Sequence, residues 1–289
     1  MKQAILITAY RDFDQLLDLV ALFDDRFGVY IHIDKKSNCG DRIYDSLKGQ
    51  SHVQWVSSDY TINWGGRNHL LAILSLCKKA FADGKYSYFH LITGQDLPIK
   101  PFDTFFDTLV FEEPVNFLEH FPMPAICWNN GGMERLELYN FYDVFNAKSQ
   151  GWIIEKLKSI QRKIAFKRNI YKDLPPFYGG STYWSLHQSA IEMVLDYTKK
   201  YPKLLRQLKH TFCSEEFYFQ TILLNSPLTP QINNYNLRYI DWKLGEGGSP
   251  SILIESDFEA LQKSPAFFAR KFDIKISREL INRVKAEIL

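Results

Sequence analysis

Cysteine is scarce in this chain and widely dispersed. Cys39, Cys77, Cys127 and Cys213 stand far apart, and no C-x-x-C spacing occurs. That pattern argues against a zinc site and offers no disulfide framework, so reduced, mostly buried thiols are expected. No Pro, Gly or Ser-rich linker divides the 289 residues, which predicts one compact domain. Long apolar runs are missing as well. The opening Met1-Lys-Gln-Ala-Ile-Leu-Ile-Thr-Ala-Tyr10 is too short for a signal peptide or a membrane span, and no later stretch reaches a spanning length without charge. A cytoplasmic location is the expectation. Neither sign of charge dominates: the formal net charge is +2, with Asp and Glu spread among the basic residues, so nothing marks a nucleic-acid partner.

Aromatic side chains, by contrast, are abundant at 15 % of residues. Most belong in a core, but rings also serve as platforms for the apolar C–H faces of sugars. In the first hundred residues, short apolar runs (Ala4 to Ala9, Val29 to Ile33, Val53 to Val56, Tyr88 to Ile92) alternate with amphipathic stretches (Phe13 to Phe27, Asn68 to Phe81). This is the rhythm of βαβ units and predicts a Rossmann-like α/β fold with a mainly parallel sheet. Ligands of such sheets gather at the carboxyl ends of the strands. There the chain places Tyr10 and Arg11, Asp34 with Lys35 and Lys36, Ser57 to Tyr60, and Gly94-Gln-Asp96.

Beyond about residue 115 the alternation loosens into a more mixed part. Val115 to Glu119 reads as a strand, and a polar stretch runs through Asn129-Asn-Gly-Gly132. A basic helix is predicted near 151–168, with Ile153, Leu157, Ile160 and Ile164 at helical spacing among Lys156, Lys158, Arg162, Lys163, Lys167 and Arg168. Such a face is ordinarily solvated; the other reading is peripheral contact with an anionic membrane. A strand at Thr182 to Leu186, a helix at Gln188 to Lys200 and a helix from Ser214 to Leu224 complete this half. Ser214 is a good helix start, and Glu215 and Glu216 complement the helix dipole. Consecutive helical positions diverge by about 100°, so both carboxylates cannot aim at one small substrate.

Asp12-Phe-Asp14 is the sole Asp-x-Asp, and it opens a predicted helix, where Asp is a routine cap rather than a metal ligand. His32 and Asp34 point the same way on a strand, but two ligands do not close a metal site; Asp34 is better placed to accept hydrogen bonds from a base or ribose. Arg270 and Lys271, bracketed by Phe267, Phe268 and Phe272, are suited to steadying an anionic leaving group. A Glu can take a proton from an attacking hydroxyl, and Gly179, Gly180 and Ser181, just before Tyr183 and Trp184, would let a sugar approach the backbone. These are the two needs of sugar transfer from a nucleotide.

Ile31-His-Ile-Asp-Lys-Lys-Ser37, Trp64-Gly-Gly66, Leu91-Ile-Thr-Gly-Gln-Asp-Leu-Pro-Ile-Lys100, Tyr178-Gly-Gly-Ser-Thr-Tyr-Trp184, Ser214-Glu-Glu216, Leu237-Arg-Tyr-Ile-Asp-Trp242 and Phe267 to Asp273 occur in an order that spans nearly the whole chain. Together they resemble the core-2/I-branching β-1,6-N-acetylglucosaminyltransferase and peptide xylosyltransferase family. The resemblance implies a variant of the GT-A fold and an inverting, metal-independent transferase with a UDP-sugar donor and no cofactor. It places the catalytic base on Glu216, a nucleotide contact on Asp34 and diphosphate contacts on Arg270 and Lys271. Arg238, Tyr239, Asp241 and Trp242 fall where acceptor or donor sugar is held. Where the branching enzymes carry a second phosphate-binding Arg, this chain has Gly247-Gly-Ser-Pro250, so Ser249 or a backbone amide is the expected substitute.

The expectation is therefore a single domain over 1–289, with a nucleotide-binding half at 1–120 and an acceptor-binding and catalytic half at 121–289. Donor contacts fall on Asp34, Gly94, Asp96, Ser249, Arg270 and Lys271. Acceptor contacts fall on Glu119, Arg135, Tyr183, Trp184, Arg238, Asp241 and Trp242. The transferred sugar would be GlcNAc or xylose and the acceptor a glycan or lipid-linked glycan, in cell-surface polysaccharide synthesis. Animal members of the family are luminal, anchored and cysteine-rich, whereas this chain looks like a short cytoplasmic relative. Two other classes fit parts of the pattern. A glycoside hydrolase would use paired carboxylates about 5–9.5 Å apart, and a non-catalytic glycan-binding module would use the rings alone.

Overall fold

In the computed structural model of the chain, residues 2–110, 112–242 and 249–289 are described. The parallel half follows the expected rhythm: β1 (Lys2–Ala9), α1 (Phe13–Val20), β2 (Phe27–Ile33), α2 (Asp41–Lys48), β3 (Val53–Ser57), α3 (Asn68–Ala82) and β4 (Tyr86–Thr93). Phe27 opens β2 instead of closing the preceding amphipathic stretch, because α1 stops at Val20. Next come β5 (Leu97–Pro98), α4 (Phe102–Thr108), β6 (Asn116–Pro122), α5 (Met133–Glu137), α6 (Ala147–Lys163), β7 (Tyr178–His187), α7 (Gln188–Lys200), α8 (Lys203–Gln207) and α9 (Glu215–Leu224). The chain ends with β8 (Ile232–Asn233), β9 (Arg238–Ile240), α10 (Phe258–Lys263), β10 (Phe268–Arg270) and α11 (Arg278–Glu287).

The main sheet has seven strands in the order β3-β2-β1-β4-β7-β6-β8. Only β7 runs against the rest, since it pairs antiparallel with both β4 and β6 while the other pairings are parallel. The chain steps outward from β1 to β3 and then returns to the other side of β1 as β4, which makes the β1/β4 boundary the topological switch point. A second, mixed sheet of β5, β10 and β9 packs beside it, with β10 parallel to β9 and antiparallel to β5. The α/β class with a mainly parallel sheet and a mixed C-terminal part is what the structure shows.

Both faces of the main sheet are covered, so β1 is buried at every residue from Gln3 to Ala9. Strand alternation sorts its side chains between two cores. Ile5, Ile7 and Ala9 join one formed with α1, α4, the small sheet and the C-terminal helices; Ala4 and Leu6 join the other, formed with α3, α7 and α9. Phe267, Phe268 and Phe272 are at most 2 % exposed, as the bracketing of Arg270 and Lys271 implied.

Several local expectations are corrected. Ser214 precedes α9 but its side chain makes no cap, and its hydroxyl is buried without a partner. Asp12 takes a left-handed φ of 54° before α1 and makes no capping bond; it pairs instead with Arg11 at 3.0 Å. On α6, Ile160 and Ile164 are 47 % and 67 % exposed rather than packed inward. Gly179 and Gly180 make room for protein: a Cβ at Gly180 would lie 1.9 Å from the Glu119 carbonyl oxygen, and one at Gly179 would lie 2.8 Å from Phe121 and Trp128. Their missing side chains let β6 and β7 approach, not a sugar.

Candidate active site

At the carboxyl edge of the sheet the expected donor residues meet. Asp34, just past β2 and 2 % exposed, accepts hydrogen bonds at Oδ1 from the backbone N–H of Ile62 at 2.9 Å and of Lys36 at 3.2 Å, and Lys36 Nζ lies 3.7 Å from Oδ2. Its carboxylate thus holds the loop after β3 against β2, while Oδ2 keeps acceptor capacity. Gly94 is bound on both sides of its backbone, with its N–H donated to the Thr8 carbonyl at 3.1 Å and its own carbonyl accepting from Gln15 at 3.2 Å. Asp96 is 1 % exposed and accepts from the Thr93 N–H at 2.7 Å and the Thr93 hydroxyl at 3.1 Å. Burial raises its pKa against the pull of Arg270, whose Nε is 3.6 Å away.

Arg270 comes from β10 in the second sheet and approaches this edge from the side of α1. It is 9 % exposed, its guanidinium lies 4.3 Å from the centre of the Tyr183 ring, and its Nε and Nη1 have no hydrogen-bond partner among the described residues. A buried guanidinium with idle donors is costly unless something anionic takes them. Lys271 follows. Burial lowers its pKa, Arg11, Arg270 and Lys148 lower it further, and Asp273 opposes them. Arg11 from the loop after β1, Lys148 from the start of α6 and Arg270 from the end of β10 thus lie within electrostatic reach of Lys271, while Arg11 also pairs with Asp12. Arg11 also reaches Asp273 at 3.8 Å. Lys148 was not foreseen; its one sequence signal is its place at the front of the basic helix. Ser249 is exposed, and Gly247 and Gly248 lie outside the described residues.

Glu216 reaches the same edge from the opposite face, in the first turn of α9. Its Oε2 accepts from Arg135 Nη2, and Thr182 Oγ1 donates to Oε1 at 3.4 Å. Burial pushes its pKa above the usual carboxylate range even with Arg135 alongside. Arg135, on α5, is fixed by rings: its guanidinium lies 3.8 Å from the centre of Trp128, 5.1 Å from Phe212 and 5.2 Å from Phe217. Cys213, at φ 52°, turns the chain into α9. Glu215 points elsewhere, as helix geometry requires, and its Oε1 meets His69 Nδ1 at 3.0 Å while His69 Nε2 meets Thr8 Oγ1 at 3.3 Å. Thr182 and Tyr183 are consecutive in the middle of β7, so the acid that touches one and the cation that covers the other stand on the two sides of a single strand.

Of the expected acceptor residues, Arg135 and Tyr183 are brought to this place; two others are not. Trp184 is fully buried, packed 4.9 Å from Phe219, because it takes the inward side of β7 next to Tyr183. Arg238 is 5 % exposed and donates to the carbonyls of Leu91, Trp184 and Asn236 and to Ser185 Oγ, so it clips β4, β7 and β9 together. Burial pushes its pKa down to about 9. Glu119 is exposed and accepts from Asn236 Nδ2 at 2.8 Å. Trp242 is 59 % exposed and Asp241 half-buried, both just after β9. Among the described residues no three His, Cys, Asp or Glu side chains gather into a metal-ligand group.

The chain is 26 % identical to Xylosyltransferase 1 of Mus musculus over 96 % of its own length and 29 % of that protein. It is 27 % identical to Xylosyltransferase 2 of Rattus norvegicus over 91 % of its own length and 31 % of that protein. It thus spans about 30 % of the length of these relatives. Among solved structures, S. aureus TarS 1-349 in complex with UDP covers 90 % of this chain, which covers 63 % of that one, with 12 % identity and a TM-score of 0.42. The profile of the Core-2/I-Branching enzyme family matches residues 4–262, so the chain belongs to that family.

Proposed function

We propose that this chain is an inverting, metal-independent glycosyltransferase that moves a sugar, GlcNAc or xylose, from a UDP-sugar to a hydroxyl of a glycan or lipid-linked glycan in the synthesis of cell-surface polysaccharide. The observation that carries the reading is the surplus of positive charge at the sheet edge, where Arg270 is buried with idle donors and Lys271 is crowded by Arg11 and Lys148. A diphosphate supplies what that cluster lacks. In the reaction, Glu216 takes the proton of the acceptor hydroxyl as the oxygen attacks the anomeric carbon. The bond from that carbon to the diphosphate oxygen breaks, and UDP leaves toward Arg270 and Lys271. Entry from two faces of the sheet suits attack opposite the leaving group. Arg135 and Thr182 orient the Glu216 carboxylate, and its raised pKa suits a base.

Metal independence belongs to the same proposal, with the side-chain cations doing what a divalent ion does in other transferases. A peripheral position at the inner face of a membrane, through α6, belongs to it too. The hydrolase reading loses ground because Glu215 and Glu216 engage His69 and Arg135 and so do not flank one bond. Calorimetric titration with UDP in EDTA, on the wild type and on Arg270→Ala/Lys271→Ala, tests the function. Binding that survives chelation and collapses in the double variant upholds it. Binding that requires a divalent ion overturns metal independence, and no binding under any condition leaves the rings as a glycan-binding surface.

A further inference from the structure

The outer face of α6 is built unlike the rest of the surface. Trp152, Lys156, Ile160, Lys163 and Ile164 follow one another at spacings of four, four, three and one residues, which places them on one side of the helix. Trp152 is 68 % exposed, Ile160 47 % and Ile164 67 %, and both lysines are exposed. Beyond the helix, Phe166 and Lys167 continue the mixture. The single carboxylate of the helix, Glu155, is exposed beside Trp152 at the border of this face and meets Lys158 at 2.9 Å and Arg162 at 3.9 Å. Lys156 and Lys163 make no ion pair among the described residues.

The inner side spends its polar groups on the protein. Arg162 forks onto Glu134 at 2.9 and 2.6 Å, next to the Arg135 that holds Glu216, and Gln161 bonds the backbone of Tyr139 at 2.7 and 3.1 Å. Ile154 is 1 % exposed. Apolar groups and lysines without an ion pair among the described residues face outward, over about 18 Å of helix. A purely solvated face needs no Trp and two isoleucines in line. Indole and aliphatic side chains set between lysines match the boundary of a bilayer with anionic headgroups.

We propose that this face of α6 lies in the headgroup region of an anionic phospholipid membrane, with Trp152, Ile160 and Ile164 inserted and Lys156 and Lys163 on the phosphates. Since Lys148 in the first turn of α6 lies within electrostatic reach of Lys271, and α6 is tied through Glu134 to the segment holding Glu216, such docking presents the open edge of the sheet beside the bilayer, where a lipid-linked acceptor would be met. The membrane surface gives the glycosyl-transfer reading its acceptor, and the two are tested apart.

The test is co-sedimentation of the whole chain with vesicles of phosphatidylcholine alone and with an equal mixture of phosphatidylcholine and phosphatidylglycerol. The wild type is expected to pellet only with the anionic vesicles. Lys156→Gln/Lys163→Gln should weaken partitioning by roughly fivefold per lysine, and added salt should weaken it too. Trp152→Ala/Ile160→Ser/Ile164→Ser should abolish it at unchanged charge. A wild type that ignores anionic vesicles, or both variants binding as the wild type does, would overturn the proposal; so would a dimer in sedimentation equilibrium that the triple variant dissolves. UDP titration of each variant is the control. Intact UDP binding with lost vesicle binding isolates the lipid face, and loss of UDP binding in the wild type faults the donor site instead.

Discussion

The two halves of the site treat their ionisable side chains in opposite ways. On the side supplied by the parallel strands, Asp34 and Asp96 are buried and bonded to nearby backbone, and Gly94 has both backbone groups engaged. On the side supplied by the later chain, Arg270 keeps idle donors, Lys271 is pushed down by like charges and Glu216 is pushed up by burial. The first set shapes loops; the second holds groups away from their preferred state. Strain of that second kind is what marks chemistry, because a group satisfied by its own protein has little left for a substrate. The comparison also separates two neighbouring acids, since Glu215 is engaged by His69 and Glu216 by Arg135 and Thr182.

The comparison breaks most directly at Glu216. Glu216→Gln should lower kcat by roughly 10²–10⁴ while leaving UDP affinity unchanged, and Glu215→Gln should cost far less in kcat. Equal losses in the two variants would show that the distinction between them is false. The raised pKa of Glu216 has a signed consequence: the base form is lost as pH falls through it, so the acid limb of kcat should lie above the usual Glu value of about 4.3.

Next in size is a contrast between tryptophans. Trp184→Ala empties a fully buried site in the second core and should cost about 3–5 kcal/mol of stability, read from chemical denaturation. Trp242 is 59 % exposed, and Trp242→Ala should change stability by less than about 0.5 kcal/mol. If Trp242 holds sugar, that variant raises the acceptor KM with stability unchanged. Unaltered acceptor kinetics would leave it an ordinary surface ring.

Much of this was legible before any coordinates. The apolar runs of β1 to β4, the helix at Gln188–Lys200 and the acid at the head of α9 follow from periodicity and charge, and the polar loops after the strands do line the edge. Trp184 was not legible as core: with both faces of the sheet covered, alternation no longer separates inward from outward, and Tyr183 and Trp184 look alike in the sequence. Arg238 and Lys148 were misplaced or missed for another reason. What they do is set by a hydrogen bond to the Leu91 carbonyl and by the charge of Lys271, far along the chain, and no local pattern announces such a pairing. Gly180 reads as freedom for a ligand until the Glu119 carbonyl is seen to occupy the space.

The smallest effect sharpens the comparison most, because it titrates the crowding itself. Lys271 is lowered first by burial and then by Arg11, Arg270 and Lys148. Its ammonium is therefore lost at a lower pH than an ordinary lysine, for which about 10.4 is usual. UDP affinity should fall by several-fold as pH rises through that lowered value, and a bound diphosphate, which favours the charged form, should draw a proton in on binding. Calorimetry in buffers of different ionisation enthalpy reads both. Lys271→Arg keeps a charge that does not titrate in this range, so the alkaline fall should vanish even if affinity at neutral pH drops through the altered geometry. The same fall in Lys271→Arg as in the wild type would assign the titration to another group and remove Lys271 from the diphosphate site.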